Sequence, residues 1–264
     1  MGNAGLIPLS DDEKAQALLI RKACEKGDHF ELARLLRTCR RGPGSPCDAI
    51  DWENWRTKGS ALCSSAVHYA ARGGHDKCLE LLFEHGANMH QYDFRGFTPV
   101  HEVCLGKRKI STLAYLIKAC KCSINVKNAS DYWTPVHIAA NDNAPELLEF
   151  ILQNGGWVDS RTRNGSSTPL HLSTKNRAWK CGALLIKYGA SEKDTDSQGN
   201  PPTQSPEIMA AIRLRETEAE NRRTQGLPPL PPQNLEPNPL SVGYYACAIQ
   251  AINPFPPAQT QPVI

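Results

Sequence analysis

The sequence predicts an all-α solenoid, in which short helix-turn-helix units stack side by side along the chain. Four related tetrapeptides support this prediction: Ser65-Ala66-Val67-His68, Thr98-Pro99-Val100-His101, Thr134-Pro135-Val136-His137 and Thr168-Pro169-Leu170-His171. Their histidines are 33, 36 and 34 residues apart, and a period near 33 residues is typical of helical repeats. A single unit of this size cannot bury its apolar face alone, so neighbouring units must stack.

Each tetrapeptide predicts the start of a first helix. Proline fits the first helical turn because its φ is already set and its missing N–H costs no hydrogen bond there. The threonine before it can cap the exposed amides. The small pairs that follow, such as Ala70-Ala71 and Ala139-Ala140, allow a second antiparallel helix to approach closely.

The residues after each first helix predict a second helix and then a hairpin. Cys78, Leu79 and Leu82 have the spacing of an apolar helical stripe. Gly86 follows the last turn, where a left-handed cap favours glycine. A hairpin such as Asp93–Gly96 comes next, with glycine supplying a positive φ. In the following hairpin, Tyr132 stands where glycine is usual.

This pattern resembles the ankyrin repeat, which runs Thr-Pro-Leu-His-x-Ala-Ala, Gly-His, paired aliphatics, Leu-Leu and Gly-Ala, and several positions of the chain match it in register. The resemblance implies an ankyrin-repeat solenoid with hairpin fingertips and a concave face lined by the first helices. It also implies that each tetrapeptide histidine bonds backbone between adjacent repeats. Because the repeats stack one beside the next, these histidines would not converge on a metal ion, and no metal site is expected.

The resemblance and the composition together divide the chain into a central array and two flanking segments. We expect a flexible N-terminus at 1–10, a degenerate cap at 11–40, a loop insertion at 41–64, clear repeats at 65–92, 93–128, 129–161 and 162–194, a degenerate C-terminal cap at 195–225, and a disordered Pro-rich tail at 226–264. Two segments remain open: the 41–64 loop, with Trp52 and Trp55, is either disordered or an ordered loop that packs on the array or binds a partner. The apolar island Tyr244–Ile249 either docks on a partner or folds back on the array.

Composition excludes several classes of protein. With a net charge of only +3 among 264 residues, the chain lacks the strong positive charge typical of nucleic-acid-binding domains. No apolar run approaches the ~18 residues of a membrane span. Residues 1–10 do not resemble a secretory signal, and Cys24, Cys78, Cys104 and Cys181 occupy expected core positions. We therefore expect a cytoplasmic and/or nuclear protein. Gly2 begins an incomplete N-myristoylation signal, since Leu6 stands where Ser or Thr is preferred.

No catalytic constellation is evident in the sequence. Phosphate-binding glycine loops and a nucleophile elbow are missing, and His101-Glu102 fails as a zinc-protease motif because position 105 is leucine. We expect no enzymatic activity and no cofactor.

Candidate contact residues follow from the implied fingertips and concave face, since aromatic and arginine side chains dominate interface energies. The fingertip candidates are Tyr92, Phe94, Arg95, Tyr132, Trp133, Arg161 and Arg163. Tyr69 and Arg72 are candidates on the concave face, where Glu102 is also expected to be exposed. For Trp133, the alternative is that its ring packs against a neighbouring hairpin.

A second candidate site lies in the Pro-rich tail. Its linear motif consists of Leu227, Pro228, Pro229, Leu230 and Pro231. This motif suits a polyproline II ligand of a WW or SH3 domain, against the alternative of a plain solvated tail.

The function that these features predict is a non-catalytic scaffold or adaptor that binds another protein through its fingertips and concave face. The alternative is a substrate receptor or regulatory subunit of an enzyme complex such as a ubiquitin ligase. The chain lacks the Leu-x-x-x-Cys helix followed by Leu-Pro-x-Pro that a SOCS box requires.

Overall fold

The computed structural model describes residues 11–38, 65–93, 95–202 and 206–227. In these residues the chain forms helices joined by turns and hairpin loops, without strands. The helices are α1 (Asp11–Lys26), α2 (His29–Thr38), α3 (Ala66–Gly73), α4 (Asp76–Glu84), α5 (Pro99–Leu105), α6 (Ile110–Lys118), α7 (Pro135–Asn141), α8 (Pro145–Gln153), α9 (Pro169–Lys175), α10 (Trp179–Lys187) and α11 (Pro206–Thr224). The predictions for Gly2, the 41–64 loop and Tyr244–Ile249 fall outside the described residues.

The helices pack as two neighbouring rows, which confirms the predicted all-α solenoid. Within each pair, the first helix packs against the second, as α3 does against α4. Along the array, α1, α3, α5, α7 and α9 contact one another in sequence. The added helix α11 packs against α10, with Ile208 buried between them.

One apolar core runs the length of the stack. Leu79 and Leu82 of α4 are fully buried, as the predicted stripe requires. The four cysteines that were expected in the core, Cys24, Cys78, Cys104 and Cys181, are also buried as free thiols. Burial raises the pKa of the Cys104 thiol to about 12, so this side chain behaves as a small apolar group.

The terminal helices differ in length from the internal ones. The first helix, α1, begins at Asp11 and has 16 residues, whereas the internal first helices have seven or eight. No Thr-Pro pair precedes this helix in the sequence. At the other end, α11 has 19 residues, whereas the internal second helices have nine. It begins at Pro206 and ends at Thr224.

Each hairpin contains a residue with positive φ two positions before the Thr-Pro pair or its equivalent. The four residues at this position are Gly96, Tyr132, Ser166 and Gly199, with φ angles of 74°, 61°, 50° and 79°. The prediction that Tyr132 occupies a glycine position is therefore confirmed. The glycines that follow second helices also have positive φ angles, 83° at Gly86 and 100° at Gly189.

The tetrapeptide histidines join each unit to the next. In His101, Nδ1 accepts hydrogen bonds from the backbone N–H and the hydroxyl of Thr98, at 3.1 Å and 2.9 Å. Because Nδ1 accepts, Nε2 carries the proton and donates to the carbonyl of Trp133 at 3.0 Å. The other three histidines make the same bridges, His68 to Phe97, His137 to Ser167 and His171 to Asn200. The predicted bonding between repeats is confirmed.

Substituting Leu82→Ala is expected to lower the free energy of unfolding by about 2–5 kcal/mol, because a fully buried side chain is truncated. Urea unfolding followed by circular dichroism measures the change. The matched control is Phe83→Ala, at the next position of α4, where the ring is exposed and a smaller loss is expected. Equal losses in the two variants would contradict the packing of α4.

The buried histidines are expected to make the array less stable in mild acid. Burial lowers the pKa of His101 and His137 to about 4, whereas the unfolded side chain titrates near 6.5. The unfolded state therefore binds more protons below pH 6.5, and stability falls as the pH drops from 7 towards 4. Each histidine contributes about 2 kcal/mol of this loss at pH 5.

Urea unfolding at pH 7 and pH 5, performed on the native chain and on His137→Gln, measures this effect. Glutamine cannot titrate, so the variant should lose less stability between the two pH values, although it starts lower at pH 7. Groups that titrate elsewhere in the chain affect both proteins alike, so their contribution to the stability loss cancels in this comparison. An identical loss in both proteins would show that His137 is not held neutral by the fold.

Candidate partner-binding surface

The hairpin tips form a continuous row along one edge of the array. Backbone hydrogen bonds join adjacent tips: Ala129 donates to Gly96 at 3.0 Å, Arg163 to Asp131 at 2.8 Å, and Ser197 to Gly165 at 2.8 Å. Side chains on these tips therefore keep a fixed spacing. The resemblance predicted fingertips at these positions.

Two tyrosines expose large apolar area on this row. Tyr92 is 44% exposed and Tyr132 is 41% exposed. Phe94, another aromatic fingertip candidate, lies outside the described residues. The lysine Lys127 lies beside Tyr132, with its Nζ 5.7 Å from the ring centroid. Lys127 was not among the candidates predicted from the sequence, although hairpin pairing places a residue five positions before Tyr132 on the facing arm.

Arg95 lies mainly within the array. Its guanidinium donates to Asp93, at 2.9 Å from Nε, and to Glu102. Both carboxylates are buried, and Glu102 is only 1% exposed. The expectation that Glu102 is exposed on the concave face is wrong, because Arg95 from the hairpin and Arg72 from α3 both contact it.

Burial raises the pKa of Glu102, while the neighbouring arginines Arg95 and Arg72 oppose this rise. The cluster formed by Asp93, Arg95, Glu102 and Arg72 therefore compensates buried charge within the fold. Of its two arginines, Arg72 is the more exposed, and it contacts Glu102 at 3.4 Å.

The two arginines of the next tip have different surroundings. Arg161 pairs with Asp194 at 2.9 Å and donates to the carbonyl of Thr195. Arg163 is exposed, and its guanidinium carbon lies 5.3 Å from the ring centroid of Tyr132. The structure therefore brings Tyr132, Lys127 and Arg163 together.

The remaining candidates have different surroundings. Trp133 is half-buried against the core, and its carbonyl accepts the bond from His101. Tyr69 is half-buried, with the guanidinium of Arg21 5.4 Å from its ring centroid. Leu227 is 47% exposed, and Pro228–Pro231 fall outside the described residues.

Other kinds of site have little support in the part of the chain that the structure describes. No cluster of three or more His, Cys, Asp or Glu side chains is arranged to hold a metal ion. Among the same residues, every helix is too short or too polar to cross a membrane.

Removing Arg95 should destabilise the array, because Arg95→Ala deletes the cation that contacts both buried carboxylates, Asp93 and Glu102, and leaves only the longer contact of Arg72 with Glu102. We expect a loss of about 3 kcal/mol in the free energy of unfolding. The matched control, Arg163→Ala, should cost less than about 1 kcal/mol, since that guanidinium is exposed. Urea unfolding of both variants at pH 7 tests the difference, and similar losses would contradict a structural role for Arg95.

Comparison with known proteins gives a consistent assignment. A family model for ankyrin repeats (three copies) matches residues 19–128 and 103–196. The SMC5-SMC6 complex localization factor protein 1 of Bos taurus is 30% identical over 146 residues, which cover 52% of this chain and 14% of that protein. The nuclear factor NF-kappa-B p105 subunit of Gallus gallus is 29% identical over 168 residues, 56% of this chain and 17% of the relative.

Inversin of Mus musculus is 32% identical over 149 residues, which cover 55% of this chain and 14% of inversin. The chain thus spans less than a fifth of the length of each of these three relatives. The similarity therefore covers only a part of each of these longer proteins.

Proposed function

The chain belongs to the ankyrin-repeat family, and on that premise we propose that it is a non-catalytic scaffold or adaptor. It binds another protein through its hairpin tips and concave face. The observation that carries this proposal is the pair of exposed tyrosine rings, Tyr92 and Tyr132, on a row of tips held together by backbone hydrogen bonds.

The tips are suited to binding because their geometry is fixed before a partner arrives. A surface that is already ordered loses little conformational entropy on association. Tyrosine suits such a surface, since a rigid ring gives large contact area and its hydroxyl can hydrogen-bond. By contrast, the tetrapeptide histidines and the buried carboxylates Asp93 and Glu102 are engaged inside the fold.

The relatives support an interaction role. One is named as a localization factor of the SMC5-SMC6 complex, and another as a subunit of a nuclear factor. We extend to this chain only the general role of binding other proteins, in the cytoplasm and/or nucleus. The free thiols of the described cysteines, all of them buried, are compatible with a reducing compartment.

The test is affinity purification from cytosolic and nuclear extracts with three baits of full length. These are the native chain, Tyr92→Ala/Phe94→Ala, and a tail variant with Pro229→Ala, Leu230→Ala and Pro231→Ala. We expect partners that are retained by the tail variant and depleted by the tip variant. The thermal midpoint of the tip variant should stay nearly unchanged, because Tyr92 is exposed.

A large fall in the thermal midpoint would mean that these rings stabilise the fold rather than contact a partner. Loss of partners with the tail variant alone would place recognition in the Pro-rich motif and contradict the proposal for the array. Cullin or elongin among the partners lost with the tip variant would identify the enzyme-complex role instead of a simple scaffold.

A further inference from the structure

A groove lies where the C-terminal helix α11 meets α8 and α10. Its volume is about 480 Å³, which is within the range that proteins use to bind ligands. Its apolar lining consists of Pro145, Ala183, Leu184, Ala211 and Leu214. Four of these residues are half-buried, whereas Leu214 is 62% exposed. The groove therefore presents apolar surface that the described part of the chain leaves open.

Leu214 contributes little to the packing of its own helix. The residue that anchors α11 is Ile208, which is 2% exposed and packs against α10 at Gly182. A Cβ atom at Gly182 would lie 3.0 Å from Cδ1 of Ile208, so glycine permits this close approach. Among the described large apolar side chains, only Phe30 is more exposed than Leu214. An exposed apolar side chain that lines a groove indicates a contact surface.

The charged residues around the groove balance one another. Three carboxylates and three cations share the lining with the apolar residues: Glu146, Glu149, Glu218, Lys180, Lys187 and Arg215. With equal numbers of each sign, the groove favours neither an acidic nor a basic partner by electrostatic attraction. An uncharged, apolar segment is therefore the occupant that matches this lining.

The C-terminal part of the chain contains such a segment. Tyr244–Ile249 reads Tyr-Tyr-Ala-Cys-Ala-Ile, and residues 237–264 include no Asp, Glu, Lys, Arg or His. Two tyrosines and an isoleucine supply large apolar area for burial, and each tyrosine hydroxyl can hydrogen-bond at the edge of a groove. In charge and in apolar character, this segment matches the lining.

The chain turns where α11 ends. Gly226 has a φ of 65°, and the N–H groups of Gly226 and Leu227 donate to the carbonyls of Arg223 and Arg222 at 3.1 Å and 2.9 Å. This is a left-handed cap, which ends the helix. The residues that follow are therefore not directed onward along the helix axis.

The connection is also long enough for the segment to reach the groove. Leu214 precedes Thr224 by ten residues, which corresponds to about 15 Å along an α-helix. Residues 228–243 separate Leu227 from Tyr244. A flexible chain of that length spans about 20–24 Å on average, and about 50 Å when prolines keep it extended. Both values exceed the distance that the segment has to cover.

We propose that the groove between α8, α10 and α11 is the docking site for Tyr244–Ile249 of the same chain. This surface is separate from the hairpin tips of the proposed function. A tethered segment has an effective concentration in the millimolar range at its site, so a dissociation constant of about 100 μM keeps the groove about nine-tenths occupied. The Pro-rich motif Leu227–Pro231 then lies in the loop that docking closes.

Amide hydrogen exchange of the full-length chain, resolved into peptides by mass spectrometry, tests this docking. Exchange is measured at two protein concentrations that differ about tenfold. In the native chain, we expect the amides of 244–249 to exchange about tenfold more slowly than in the unfolded chain, as nine-tenths occupancy requires. The slowing should be the same at both concentrations, because the segment and the groove belong to one molecule.

Two variants remove the contact from opposite sides. Leu214→Asp places a carboxylate in the apolar lining, and it should return 244–249 to the unprotected rate. Tyr245→Asp/Ile249→Asp alters only the segment, and it should speed exchange in residues 208–218 of α11. The matched control is Leu19→Asp on α1, which makes the same change at a side chain that is 48% exposed and should leave 244–249 protected.

Three results would overturn the proposal. One is a native chain in which 244–249 exchanges at the unprotected rate, because the groove would then be open or covered by another protein. Another is protection that survives Leu214→Asp, which would place the segment elsewhere. The third is protection that increases with protein concentration, since a second copy would then supply the segment. If Leu214→Asp lowers the thermal midpoint, the segment variant still decides, because it leaves the described residues unchanged.

Discussion

The array depends on the bridge that each tetrapeptide histidine makes between two units. One ring nitrogen is bonded at the start of the histidine's own helix, and the other donates to a backbone carbonyl 29 to 32 residues further along the chain. The start of one unit is thereby tied to the hairpin of the next. Because the bridge needs a neutral ring with a defined tautomer, burial and bonding reinforce each other: in His101 and His137, burial lowers the pKa to about 4.

The sequence predicted those features that recur with the period of the repeat. The four histidines, the apolar stripe of Leu79 and Leu82, and the left-handed hairpin position all follow from local chemistry, and each was observed as expected. Glu102 was predicted wrongly for a physical reason. Its place on a first helix indicates exposure, but burial is decided by Arg95 and by Arg72, which is 30 residues away, and sequence spacing does not reveal such contacts.

Contacts of this kind recur along the array. Arg72 with Glu102, Arg108 with Asp142, Asp76 with Lys109, and Arg161 with Asp194 are ion pairs between residues 30 to 34 positions apart. Many charges that look free in the sequence therefore have partners in a neighbouring unit. A charged side chain therefore says little about binding until its ion pairs are known. Arg95, Arg161 and Arg163 were all candidates on the sequence alone. Arg95 and Arg161 form ion pairs within the array, whereas Arg163 is exposed.

Tyr132 shows where stability and recognition place opposite demands on one residue. A left-handed conformation costs a residue other than glycine about 1–2 kcal/mol, and Gly96 and Gly199 avoid that cost at the same hairpin position. The neighbouring cations offset part of this free-energy cost, since cation–π contacts at exposed sites contribute about 0.5–1 kcal/mol. The same contacts flank a ring that stays partly exposed at the hairpin tip. A tyrosine that does not improve the fold is therefore best explained by what its exposed ring contacts.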